Sequence, residues 1–149
     1  MQNEVLMPPS AVHQLKTLVN EQKVQIVHEE DLHGEDRVIY DATYKKLEQV
    51  MMNPRQPHKN KGEVCSLAYA KTVGIPYFAT EEQRLQPIID KQLNTDLENH
   101  LTCIHIADVV RQAYIGEIQL TRKTCKAMWL AAGYRKEVFD QELWPLQNT

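Results

Sequence analysis

The sequence predicts an α/β protein in which a short parallel sheet is covered by helices on both faces. Segments with helical periodicity alternate with short apolar runs, in the order helix, strand, helix, strand, helix. Two runs, residues 75–79 (IPYFA) and 101–106 (LTCIHI), are largely apolar, which is typical of buried strands in a parallel sheet. A chain of 149 residues with 42% hydrophobic and 25% charged residues has the size and composition of one globular domain. We therefore expect residues 1–149 to form a single domain.

The first half of the chain is predicted to contain three helices and one strand. Pro8, Pro9 and Ser10 precede a helix with an apolar stripe formed by Val12, Leu15, Leu18 and Val19. Residues 24–28 (VQIVH) alternate in polarity and are rich in β-branched side chains, which indicates a short strand. The acidic residues 29–36 that follow indicate a loop.

Two further helices are predicted before the first apolar run. Asp41 is expected to be the N-cap of the second helix, because its side chain can accept a hydrogen bond from the first turn. Gly62 and Glu63 open the third helix, and Gly74 is expected to end it.

The second half of the chain is predicted to place a helix after each apolar run. The first of these helices begins near Gln86, and the second covers residues 107–114. Thr121 is expected to cap another helix that ends at Gly133, and a last helix covers residues 137–144.

Charge and cysteine content limit the class of protein. The net charge of −3 gives no general attraction to nucleic acid or to anionic lipid. No apolar stretch approaches the ~18 residues of a membrane span, and the N-terminus has no signal-peptide pattern. Cys65, Cys103 and Cys125 are widely spaced and lack zinc-ligand spacing, so we expect reduced, buried thiols. These features predict a cytoplasmic protein without a membrane partner.

Four acidic residues are candidates for a metal site. Glu63 starts the third helix, Glu81 and Glu82 follow the first apolar run, and Asp108 follows the second. Because ligands of parallel α/β folds bind beyond the carboxyl ends of the strands, these acids could meet at that edge. Carboxylates suit Mg²⁺ or Mn²⁺, and two such ions can activate water for phosphodiester cleavage.

A basic loop precedes the first of these acids. Arg55, Lys59 and Lys61 lie in the loop of residues 53–61 (NPRQPHKNK), which leads directly to Glu63. Their positive charges could bind the phosphates of a nucleic acid.

A simpler interpretation of the acids stays open. Acidic side chains are favoured in the first turn of a helix, where they face the positive end of the helix dipole. On this interpretation all four acids only stabilise helix starts. Trp129 and Trp144 lie on apolar helix faces, so we expect them to be core or interface anchors. The spacings of the histidines favour no metal site.

The segment GEVCSLAYAKTVGIPYFATEEQRLQPII, from Gly62 to Ile89, resembles the central unit of PIN-domain proteins. In that family Gly-Glu starts a helix rich in small residues, which ends at Gly and leads to a buried strand and a Thr/Ser–acidic turn. MPPSAVHQLK and LTRKTCKAMWLAAG are similar to other parts of the family pattern. The resemblance implies a three-layer α/β/α sandwich with a short parallel sheet. It also implies a metal-dependent ribonuclease, often the toxin of a toxin–antitoxin pair.

The resemblance assigns roles to the candidate acids. It implies that Glu63 and Glu81 bind Mg²⁺ or Mn²⁺, with Glu82 as the alternative position and Asp108 as a further acid. The chain departs from the family in two ways. It shows no first apolar strand ending in Asp, and it carries Glu81 where the family has Asp.

Three explanations of the missing acid are open. The protein is a remnant that keeps the fold without the activity, or its true start lies upstream, or Asp41 or the loop of residues 31–36 supplies the carboxylate. We therefore expect an N-terminally truncated PIN-like protein of ribonuclease ancestry, with RNA as its substrate if it is active. The alternative is a non-catalytic interaction domain or a mobile-element-borne remnant that forms a homodimer or binds an antitoxin-like partner. A regulatory domain unrelated to nucleases is a third possibility.

Overall fold

A computed structural model describes residues 9–146 of the chain. These residues form a mixed α/β structure that is mostly helical, with one two-stranded parallel sheet. The chain divides after Gly74 into two compact units. The single domain of residues 1–149 stays a prediction. Pro8, which is expected to precede the first helix, lies outside the described residues. None of the helices described has both the length and the apolar character needed to cross a membrane.

The first unit contains three α-helices. Helix α1 covers Pro9–Asn20, a 3₁₀ turn covers Glu29–Asp31, and α2 and α3 cover Gly34–Met51 and Lys61–Val73. Helices α2 and α3 pack against each other. Their buried residues are Tyr40, Leu47, Val64, Cys65, Leu67, Ala68 and Ala70. The Asn60 side chain donates a hydrogen bond of 2.8 Å to the carbonyl of Met51, which fixes the loop between the two helices.

Two helices of this unit agree with their predictions. Helix α1 covers the residues for which the apolar stripe predicted a helix. Helix α3 begins at Lys61, one residue before the predicted start at Gly62. Gly74 ends α3 in a left-handed conformation with φ +73°, which a residue without Cβ adopts at little cost.

Three other predictions for this unit are wrong. Residues 24–28 form no strand, because no second strand lies beside them among the described residues, and β-propensity mainly reflects packing against neighbours. The predicted loop of residues 29–36 contains the 3₁₀ turn and the start of α2. Asp41 is not an N-cap but lies inside α2, which begins at Gly34 with Glu35 and Asp36 in its first turn. These acids face the positive end of the helix, so the helix starts earlier than expected.

The second unit contains the sheet and the remaining helices. Strands β1 (Tyr77–Ala79) and β2 (Thr102–Ile104) pair in parallel, with Tyr77 opposite Thr102 and Ala79 opposite Ile104. The helices are α4 (Leu85–Gln92), α5 (Ile106–Tyr114), α6 (Arg122–Ala131) and α7 (Lys136–Val138), which continues as a π-helical turn over Phe139–Leu143.

A compact core holds the late helices of the second unit together. Phe139, Val110 and Cys125 are fully buried, and Ala113, Trp129 and Leu143 complete the cluster. The expectation that Trp129 is a core residue is confirmed. Trp144 packs partly buried against this core, with its ring 6.4 Å from that of Phe139.

The strands are shorter and more exposed than the sequence predicted. Their parallel direction is confirmed, but each has three residues, and Tyr77 is 61% exposed. The expectation of a buried strand at residues 75–79 is therefore wrong. A two-stranded sheet has two free edges, so a strand within it keeps one side open. A three-layer sandwich stays a prediction.

Candidate functional site

The parallel pairing of β1 and β2 brings three of the candidate acids to one end of the sheet. Glu81 and Glu82 follow the end of β1, and Asp108 lies in the first turn of α5, which follows β2. The expectation that the carboxyl ends of the two strands share an edge is thus confirmed. The contacts of each carboxylate show what it does there.

Glu81 connects the end of β1 to two other parts of the second unit. Its Oε1 accepts a hydrogen bond of 2.7 Å from the backbone N–H of Ile106, the first residue of α5. Its Oε2 accepts a hydrogen bond from the hydroxyl of Tyr134. The negative charge therefore lies at the positive end of a helix, where it is stabilised. Both oxygens of Glu81 are occupied by hydrogen-bond donors of the chain.

Tyr134 is the partner that the sequence did not indicate. Its ring stacks on Trp129 with centroids 4.2 Å apart, so its position is set by the core of the second unit. The hydrogen bond to Glu81 raises the pKa of Tyr134, and desolvation and the negative charge of Glu81 add to the effect. No local pattern predicts a contact between residues 53 positions apart.

Glu82 has a local role. Its N–H donates to the hydroxyl of Thr80 at 3.0 Å, and its own Oε1 accepts from the N–H of Arg84 at 3.3 Å. These bonds shape the turn from β1 into α4. This geometry is typical of a turn-closing side chain.

Asp108 stabilises the first turn of α5. Its Oδ2 accepts from the N–H of His105 at 3.0 Å, and its Oδ1 accepts from Arg111 at 3.3 Å. Desolvation alone would raise the pKa of Asp108, but the hydrogen bonds and charges of His105 and Arg111 outweigh it and lower this pKa. The spacing of His105 and Asp108 is that of a capping pair, a signal that the sequence contained.

His105 also has an unpaired atom. Its Nδ1 lies 3.3 Å from Oδ2 of Asp108, while its Nε2 is buried and has no hydrogen-bond partner among residues 9–146. The ring is thus held against the start of α5 by one nitrogen only.

Glu63 and the basic loop belong to the first unit. Glu63 is exposed in the first turn of α3, and Arg55, Lys59 and Lys61 are exposed before it. Within residues 9–146, no group of three or more His, Cys, Asp or Glu side chains is arranged to hold a metal ion. The metal-binding roles of Glu63, Glu81 and Asp108 stay predictions.

Lys61 also lines a cleft that the sequence did not indicate. The cleft has a volume of about 300 Å³, and its wall includes Tyr40, Tyr44 and Cys65. Arg37 forms its charged side, holding Asp41 with two contacts of 3.0 and 3.2 Å. Burial, together with the neighbouring Cys65, raises the pKa of Tyr40.

The N-terminal surface, by which we mean α1 and residues 24–28, is an exposed apolar part of the first unit. No side chain of α1 is buried. Ile26 is 54% exposed, Val27 is 41% exposed and Val24 is 38% exposed. A groove of about 420 Å³ runs between the end of α1 and this segment, lined by Val19, Gln22, Val24, Gln25 and Ile26.

No family model, no curated protein and no solved structure matches this chain. The likeness of residues 62–89 to PIN domains accordingly stays a prediction from the sequence.

Proposed function

We propose that this protein is an interaction domain that binds another protein chain through its N-terminal surface. The observation that carries the proposal is the exposure of Val12 and Leu18 on α1, together with the exposed Val and Ile side chains of residues 24–28. This interpretation agrees with the alternative function expected from the sequence, in which the chain acts by association.

The stability of α1 supports the proposal. An isolated helix of about 12 residues is marginal in water, and most helices in proteins are stabilised by packing of an apolar face. Helix α1 has 12 residues and an apolar stripe, yet none of its side chains is buried in the described chain. A protein partner that covers the stripe would supply the missing packing.

Site-specific photo-crosslinking in cells tests the proposal. A benzophenone amino acid replaces Ile26 on the N-terminal surface, and the matched control replaces Val38, which is 69% exposed on α2. We expect a crosslinked product of defined mass from position 26 and none of comparable yield from position 38. Equal yields at both positions would reject the proposal.

A metal-dependent ribonuclease is a second candidate, favoured by one observation. The carboxylates of Glu81 and Asp108 accept hydrogen bonds from the consecutive backbone N–H groups of Ile106 and His105, so they lie at one edge of the sheet. On this proposal they would share Mg²⁺ or Mn²⁺, and the loop of Arg55, Lys59 and Lys61 would bind RNA. The hydrogen bonds that already occupy both carboxylates favour the interaction domain over this candidate.

Calorimetric titration with Mn²⁺ and an assay on single-stranded RNA test the second candidate. Mn²⁺-dependent cleavage that is lost in Glu81→Gln and kept in Glu98→Gln, an acid in a different loop, would support it. Absence of Mn²⁺ binding at millimolar concentration would exclude it.

A further inference from the structure

We infer that the N-terminal surface pairs with a second copy of this chain, through an antiparallel ladder of residues 24–28 centred on Ile26. The inference rests on the proposed function and names the partner. Residues 24–28 have the sequence of a strand but lack a neighbouring strand in the described chain. A second copy would supply that neighbour.

Within residues 9–146, the backbone groups of this segment are free in the pattern that such a ladder needs. Among the described residues, no backbone hydrogen bond involves Gln25, Ile26 or Val27. The groups on either side are occupied, because the N–H of Val24 donates to Leu18 at 3.3 Å and the carbonyl of His28 accepts from Asp31 at 3.2 Å.

These free and occupied backbone groups are compatible with only one of the two possible hydrogen-bonding patterns of the ladder. In an antiparallel pair, hydrogen-bonded and non-hydrogen-bonded residue pairs alternate. With Ile26 opposite Ile26 as a non-hydrogen-bonded pair, Gln25 of one copy exchanges two hydrogen bonds with Val27 of the other. By two-fold symmetry, Val27 of the first copy exchanges the same two hydrogen bonds with Gln25 of the second copy. The ladder then uses only N–H and C=O groups that are free.

The charges around the segment favour the same alignment. Residues 24–28 carry no Asp, Glu, Lys or Arg, Lys23 precedes them and Glu29 follows them. Pairing Ile26 with Ile26 in the antiparallel direction places Lys23 of each copy opposite Glu29 of the other. A parallel alignment in register would place Lys23 beside Lys23 and Glu29 beside Glu29. The side chain of Lys23 makes an exposed contact of 2.6 Å with Glu21, an interaction of small net value.

The apolar side chains become covered in this arrangement. Val24, Gln25 and Ile26 line one groove with Val19 of α1. In a paired strand Val24 and Ile26 would lie on the same face. The two-fold axis brings the Ile26 side chains of both copies together, so each groove gains an apolar neighbour. Self-pairing needs only this one patch, as in any interface with two-fold symmetry.

Charge reversal tests the pairing in the full-length protein. We expect light scattering to give about twice the 17.3 kDa of one chain. Lys23→Glu should weaken the dimer by about tenfold, since it creates two like-charge contacts. Adding Glu29→Lys to that variant should restore the dimer. Lys46→Glu, the same change at an exposed position of α2, is the matched control and should leave the dimer unchanged. A wild-type monomer, or the absence of restoration by the second charge change, overturns the inference.

Disulfide crosslinking tests the alignment directly. Ile26→Cys should form a disulfide-linked dimer on mild oxidation, because the two-fold axis brings position 26 of one copy within disulfide range of position 26 of the other. Val24→Cys should not, since position 24 faces His28 of the other copy. The three native thiols are buried and provide little background. Equal crosslinking at positions 24 and 26 overturns the alignment.

The photo-crosslinking experiment separates the inference from the proposed function. A product of twice the chain mass from position 26 supports both. A product with a different protein, from a chain that light scattering finds monomeric, supports the proposed function and overturns the pairing of two copies. No product from position 26 overturns both.

Discussion

At the scale of single residues, the carboxylate of Glu81 makes contacts far along the chain. It lies just after β1, accepts from the first residue of α5 and from Tyr134, and so ties the end of the strand to two helical segments. Because these hydrogen bonds lie at an exposed site, solvent screens the charge and their contribution to stability is small. The contact nevertheless raises the pKa of Tyr134, which a titration can measure.

Glu81→Gln should lower the pKa of Tyr134 toward its ordinary value of 10.0, because the carboxylate that raises it is removed. Ultraviolet difference titration measures tyrosine ionisation, and Tyr134→Phe identifies which of the six tyrosines is responsible. An unchanged titration in Glu81→Gln would contradict the contact.

The raised pKa also has a consequence for stability. A folded-state pKa above the unfolded value favours the protonated tyrosine, so its contribution is complete below about pH 10 and is lost as pH rises through the folded pKa. Wild type should therefore lose more stability between neutral and strongly alkaline pH than Tyr134→Phe does. Chemical denaturation at several pH values measures this difference.

At the scale of elements, the ends of helices carry recognisable signals. The hydroxyl of Thr121 accepts the N–H of Thr124 at 3.1 Å and caps α6, as the sequence predicted. Gly133, with φ +84°, follows the end of the same helix. Both signals act within a few residues, so they can be read without the fold.

Thr121→Ala should reduce the free energy of unfolding by about 1 kcal/mol, because the N–H of Thr124 loses its acceptor. Thr121→Ser keeps the hydroxyl and should stay within a few tenths of wild type. Denaturation in urea measures both, and equal losses in the two variants would show that the methyl group, rather than the cap, matters.

Asp140 joins the π-helical turn to α6. Both of its oxygens lie 2.6–2.7 Å from Nζ of Lys126, and Oδ1 also accepts from Arg122. The hydrogen bond from Lys126 lowers the pKa of Asp140, desolvation opposes this, and Arg122 adds to the lowering. The two cations and one carboxylate form a network rather than an isolated pair.

Asp140→Asn should lower the Tm at neutral pH and reduce the acid sensitivity of the protein. A folded-state pKa below the unfolded value of 3.8 means that the contribution is present above that pH and is lost as pH falls through the folded pKa. Melting curves from neutral pH to below pH 4 measure the effect. Asp96→Asn, at an acid in an exposed loop, serves as the control and should keep the acid sensitivity of wild type.

The contrast between the helices and the other elements shows what the sequence could predict. Helix α6 follows from Thr121 and Gly133, which are local. The strand expected at residues 24–28 depends on a neighbour that no local pattern supplies. The contact of Glu81 with Tyr134 depends on the fold of the whole second unit. Glu81 and Asp108 lie at the same edge of the sheet because parallel strands end at one edge, whatever their length.

At the scale of the whole molecule, each compact unit buries cysteine thiols. Cys65 lies on α3 in the first unit, and Cys103 and Cys125 lie in the second unit. Burial raises the pKa of Cys125, and burial with the charge of Asp90 raises that of Cys103. The thiolate forms of Cys103 and Cys125 are therefore disfavoured, and both side chains are buried.

A thiol reagent such as DTNB should react slowly with the native protein and with all three thiols in denaturant. Leu146→Cys, at a position 69% exposed, provides a matched thiol that should react at once. Rapid reaction of a native thiol would mean that one of the units opens readily.

The parallel register of β1 and β2 also constrains the order in which the second unit folds. Residues 80–101, including α4, must form a crossover before Tyr77 can meet Thr102, whereas each helix needs only contacts within a few residues. Closing such a crossover costs entropy before any ladder contact repays it, so non-local pairing is slow relative to helix formation. The edge where Glu81 reaches Ile106 is therefore expected to be completed late in folding, and unfolding should begin there.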